Sequence, residues 1–153
     1  MGEQRVSLFT DEFQMQRFVR SLLDDVQALS YMLDNGWFED DITRIGAEQE
    51  MCIVDNDHFK PASLAMEALD LMKDHPWVET ELAKFNLEIN LNPRVFEGDC
   101  LKAMEGETQS RLDVIGENLK KLNASYVLTG ILPTLKKFHL EMENLTPKKR
   151  YKA

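Results

Sequence analysis

Two stretches of the chain alternate apolar and polar side chains, the period of a β-strand, whose successive residues point to opposite faces. In residues 42–54, Ile45, Ala47, Met51 and Ile53 share one face with Gln49. Arg44, Gly46, Glu48, Glu50 and Cys52 share the other. In residues 82–92, Phe85, Leu87, Ile89 and Leu91 point one way, and Lys84, Asn86, Glu88, Asn90 and Asn92 point the other. Pro93 ends that strand, because proline has no N–H for a ladder. Residues 125–132 are apolar on both sides, which predicts a central or covered third strand closed by Pro133. Gly130 within it allows either a close approach to a ligand or a bulge.

Helical spacing separates these strands. Met15, Val19, Leu22, Val26, Leu29 and Leu33 recur at alternating intervals of four and three, widened by Phe18, Leu23 and Met32. Thr10 is placed to cap this helix and Gly36 to stop it after Asn35. Its apolar seam predicts core packing ahead of pairing with another helix in this chain or in a second copy. Residues 61–74 predict a short helix between Pro61 and Pro76. Asp99 opens a third helix, with Leu101, Met104, Thr108, Leu112, Ile115, Leu119 and Leu122 on one side and Gly106 as a weak point. Asp55-Asn-Asp-His58 reads as a turn. It lacks the glycine and distal glutamate of a calcium-binding EF-hand loop.

With 153 residues and 43% hydrophobic composition, the chain is long enough for a core of its own. The net charge of −9 disfavours a nucleic-acid surface, since the field repels phosphates. Cys52 and Cys100 fit no metal-ligand spacing and read as buried, reduced thiols of a cytoplasmic protein. No apolar run approaches the ~18 residues of a membrane span, so no membrane partner is expected.

The polar strand faces carry the candidate chemistry. Glu and Asn are disfavoured in strands, yet the second strand stacks them in a row and the first carries two glutamates on one face. Glu48 and Glu50 lie about 6–7 Å apart on one face. If the second strand neighbours the first, Glu88 joins them. Carboxylates gathered on one sheet face repel unless a cation lies between them, which points to Mg²⁺. Glu48, Glu50 and Glu88 are the candidate metal ligands. Asn90 and Arg150 are candidates for substrate or phosphate contacts, Arg150 through its two-donor fork.

Four stretches in order also resemble a known family. Arg44-Ile-Gly-Ala-Glu-Gln-Glu-Met-Cys-Ile-Val-Asp55 resembles the Gly-x-Glu-x-Glu strand of the family-2 glutamate–cysteine ligases. Glu81-Leu-Ala-Lys-Phe-Asn-Leu-Glu-Ile-Asn-Leu-Asn-Pro93 is similar to its second strand, and Tyr126-Val-Leu-Thr-Gly-Ile-Leu-Pro133 to its third. Thr146-Pro-Lys-Lys-Arg-Tyr151 is similar to the Thr-Pro-x-x-Arg-Tyr element that follows.

The resemblance implies a glutamine-synthetase-like fold and an ATP-dependent carboxylate–amine ligase acting through an acyl phosphate. Its substrates would be ATP, an amino acid and an amine, with Mg²⁺ as cofactor and an Arg matching Arg150 near the active site. It reaches only the leading part of the family's catalytic domain, which implies a fragment of a longer protein, inactive alone. The expected fold class is α+β, with a mostly antiparallel or mixed sheet of three to four strands and helices on one face. A parallel βαβ arrangement is the competing topology. Residues 1–36 are expected as a helical extension, and residues 37–153 as part of the catalytic domain. The alternatives to catalysis are a ligase-like binding or assembly domain and a simple acidic Mg²⁺-binding module.

Overall fold

The computed structural model describes residues 11–148 and Tyr151. The chain forms two compact units, Met1–Thr43 with Lys148–Ala153, and Arg44–Pro147.

The first unit contains one long helix, α1 (Glu12–Asp34). Its N-cap is Asp11, whose carboxylate accepts a hydrogen bond from the Gln14 N–H at 2.8 Å; Thr10 lies outside the described residues. Its end is set by Gly36. That residue adopts φ +63°, where a side chain would be strained. The Gly36 N–H donates to the Leu33 carbonyl and the Trp37 N–H to the Met32 carbonyl, the two hydrogen bonds of a Schellman stop. Trp37 then stacks edge-on against Tyr31, with ring centres 6.0 Å apart. Within its own unit α1 has no buried residue, so the core packing expected of the seam is not found there.

The second unit is built on a four-stranded sheet in the order β3 (Val78–Thr80), β4 (Asn86–Asn90), β2 (Glu48–Asp55), β6 (Ala124–Val127). Every pair is antiparallel, which excludes the parallel alternative. One face packs beneath α2 (Ala65–Leu71) and α3 (Cys100–Lys120). Met51, Ile53, Leu87, Ile89 and Val78 from the strands meet Ala65 and Ala68 of α2 and Leu112, Ile115 and Leu119 of α3 in one core. The fold is therefore α+β with its helices on one sheet face. Gly106 does not break α3, which runs through it. Asp99 holds the N-cap position of α3, although its side chain makes no capping bond.

The strands are shorter than the alternation suggests, each for a local reason. Residues 42–54 do not form one strand. β1 (Arg44–Ile45) separates from β2 at Gly46–Ala47 and pairs instead with β5 (Arg94–Val95) in a two-stranded sheet. Glycine has no side chain to pack on a sheet, so the ladder yields there. In the second strand, residues 82–85 are tied to the segment after β6. Lys84 donates its N–H to the Asn144 carbonyl, and Thr146 its N–H to Leu82. The third strand ends at Val127 rather than at residue 132, so β6 leaves β2 five residues early. Residues 61–74 condense to α2, and β3 forms beside β4 at the edge of the sheet.

Candidate functional site

The face of the sheet turned away from the helices carries the carboxylates. Antiparallel register fixes who meets whom: Glu50 of β2 lies opposite Glu88 of β4, and Glu88 lies opposite Glu79 of β3. One row across three strands thus holds three glutamates. Paired residues in neighbouring strands have Cβ atoms about 5 Å apart, close enough for like charges to interact. Glu48 sits in the adjacent row of the same face, opposite Asn90.

Glu50, Glu81 and Glu88 each bring an oxygen within 4.8 Å of the others. Of the three expected ligands, Glu50 and Glu88 are therefore brought together, and Glu48 stands one row away. Glu81 completes the cluster from the turn between β3 and β4. Sequence reasoning placed Glu81 inside a family motif without giving it a role. Its position depends on Thr146, whose hydroxyl donates to the Glu81 carbonyl at 2.6 Å from a site 65 residues later. Thr146 is almost fully buried. No local pattern reports a contact of that separation.

Glu88 is only 7% exposed. Its carboxylate accepts a hydrogen bond from the Asn90 side-chain amide at 3.1 Å. The Asn90 Oδ1 is buried and accepts no hydrogen bond. An acceptor left over beside a carboxylate cluster is a costly arrangement in a closed interior, and a fitting one beside a cation. The donor set is all oxygen, hard and anionic, which suits Mg²⁺ and lacks the nitrogen or sulfur expected for zinc. Arg150, the other substrate candidate, lies outside the described residues.

A second layer holds the β4 end in place. Arg111 of α3 donates one guanidinium nitrogen to the Asn90 carbonyl and another to Glu107. Glu107 also takes Arg94 at 2.8 Å and both the backbone and side-chain N–H groups of Asn92. Arg111 lies over the Trp77 ring, 5.1 Å from its centre. Burial opposes ionisation of Glu107. The hydrogen bonds from Arg94 and Asn92, with the Arg111 and Arg94 charges, outweigh it and hold the carboxyl below its usual range.

Beside Glu50 the early departure of β6 opens a cleft of about 350 Å³. Gln49, Glu50, Cys52, Asn86, Thr129 and Gly130 are among the residues that line it. Had the pairing of Cys52 with Val127 continued, Thr129 would lie opposite Glu50 and cover it. A side chain at Gly130 would meet nothing within 4 Å, so no bulge or tight packing requires the glycine. The Cys52 thiol is pushed up chiefly by burial, against a hydrogen bond from Asn86 and with the Glu50 charge adding to the rise. It is a neutral wall residue.

In the Asp55 turn the Asp55 carboxylate is taken up by the backbone. Asp55 accepts hydrogen bonds from the N–H groups of Asp57, His58 and Lys60. That from His58 is the main reason its carboxyl is held low.

Compared with known proteins, residues 44–153 match the model of glutamate-cysteine ligase family 2. No curated protein and no solved structure matches the chain.

Proposed function

Because this chain belongs to glutamate-cysteine ligase family 2, we propose that its open sheet face is the metal-holding part of an ATP-dependent carboxylate–amine ligase. Such an enzyme joins an amino-acid carboxylate to an amine through an acyl phosphate. The observation that carries the proposal is the convergence of Glu50, Glu81 and Glu88 on one face inside the family-matched region. Mg²⁺ held by Glu50, Glu81 and Glu88 would supply neutralisation of the charge of the phosphates.

The chain's own residues divide the work. Glu88 is buried and held by Asn90, so it offers a fixed oxygen at little further cost in order. Glu50 is exposed at the mouth of the cleft and can adjust to what enters. Glu81 is anchored through its backbone by Thr146. Asn90 keeps Oδ1 as an acceptor for a ligand N–H or a cation. Arg111 holds the Asn90 backbone, and so fixes the row in which both Asn90 and Glu48 stand. Arg150 is assigned a grip on carboxylate or phosphate by the resemblance of its motif.

The metal reading is tested on the 153-residue chain with Mn²⁺ as a paramagnetic stand-in for Mg²⁺. The free-ion resonance should fall on titration with the chain. Glu88→Gln should weaken that binding by at least about tenfold with unchanged circular dichroism. A wild-type chain that leaves the Mn²⁺ signal untouched removes the metal site. The ligase reading is tested in a protein carrying the rest of the family's catalytic domain. ATP consumption should require both Mg²⁺ and an amino acid, and should be lost in Glu50→Gln. Metal binding without any nucleotide turnover there would leave an acidic Mg²⁺-binding module instead.

A further inference from the structure

The apolar seam of α1 repeats every seven residues. Met15, Leu22 and Leu29 form one line, and Val19, Val26 and Leu33 the other, at alternating intervals of four and three. These are the d and a lines of a heptad. All six side chains are between 45% and 61% exposed. Phe18 and Met32 flank the seam at g and Leu23 at e. The caps at Asp11 and Gly36 close the helix just outside the repeat. A helix of 23 residues spans about 34 Å, and such a helix is marginal in water unless an apolar face is packed.

We infer that α1 pairs two copies of this chain as a parallel, in-register, two-stranded coiled coil. Two features select that occupant. Valine fills two of the three a positions and leucine two of the three d positions, the pattern that favours two parallel strands.

The second feature is charge. Between Met15 and Leu33, Asp25 is the only charged residue at any a, d, e or g position. In a parallel pair each g residue meets the e residue five places on in the other copy. Phe18 then lies beside Leu23, and Asp25 beside Ser30. In a fully overlapped antiparallel pair Asp25 would face Asp25 of the second copy, a like-charge contact within the seam's edge. Glu12 falls on the a line as well. It is the first helical residue, exposed, where the helix dipole favours its charge. The seam complements itself about a two-fold axis, as an interface between identical chains requires.

The test measures mass and orientation on the 153-residue chain. Light scattering should give twice the 17.7 kDa chain mass. Val26→Glu, which places a charge at the centre of the seam, should give a single-chain mass at the same concentration with a cooperative thermal transition retained. Leu29→Cys should form an inter-chain disulfide on mild oxidation, because residues at d meet their own copies in a parallel pair. In the antiparallel pair Leu29 is level with Val19, and no such bond forms. The unsubstituted chain, whose two thiols are buried, is the blank. A one-chain mass for the wild type, a mass above two chains, a two-chain mass surviving Val26→Glu, or no cross-link in Leu29→Cys would each overturn the inference.

Discussion

Glu107 gathers Arg94, Arg111 and Asn92 around one carboxylate, and through Arg111 it reaches the backbone of Asn90. Its side chain and that of Arg111 are both nearly buried. Removing the charge would leave two guanidinium groups without their counter-ion, so Glu107→Gln should cost on the order of 3 kcal/mol in urea unfolding. The pH dependence has a definite sign. The folded carboxyl lies below its ordinary value of 4.5, so its contribution is complete above that value. It fades as pH falls through the folded pKa. The stability gap between wild type and Glu107→Gln should therefore be flat at neutral pH and close in acid. A gap that widened in acid would mean the carboxyl is raised instead. Sequence spacing shows that Glu107 and Arg111 share a helix face. It does not show Arg94 arriving from β5 or Asn92 from the end of β4.

At the scale of elements, α3 packs on the sheet as one uninterrupted helix and ties the end of β4 through Arg111. Gly106 is exposed in its interior, and a side chain there would meet nothing within 4 Å. Gly106→Ala should therefore stabilise the protein by about 0.5–1 kcal/mol in denaturant unfolding, by restricting the unfolded chain and favouring helix. A loss of stability would show that the glycine serves a contact or a bend. The helices were legible because a 3.6-residue period survives over many turns, as it does in Leu112, Ile115 and Leu119. Strand ends were less legible. Alternation continues through Gly46, and the apolar run of the third strand through Leu128, yet pairing stops at both, because a ladder needs a partner as well as a pattern. Those two breaks matter for the site. One lets β1 pair with β5, and the other uncovers Glu50.

For the whole molecule, both thiols are free and buried, and stability rests on packing rather than on a covalent clasp. A thiol reagent should label neither cysteine quickly in the native protein and both after unfolding. The melting temperature should be the same with and without reductant. Rapid labelling of Cys52 in the native state would mean that the cleft beside Glu50 opens further than its walls suggest. Among the described residues, no helix is long and apolar enough to cross a membrane.

The sequence by itself determined the α+β class, the seam of α1, the family, and the two strands on which Glu50 and Glu88 stand. These are local periodicities and ordered motifs, set by side-chain direction along one element. The tertiary structure alone decided that Glu81 joins Glu50 and Glu88 while Glu48 stands a row away. It also decided that Thr146 anchors Glu81. Those outcomes depend on register and on contacts across up to 65 residues of chain, which no periodicity encodes.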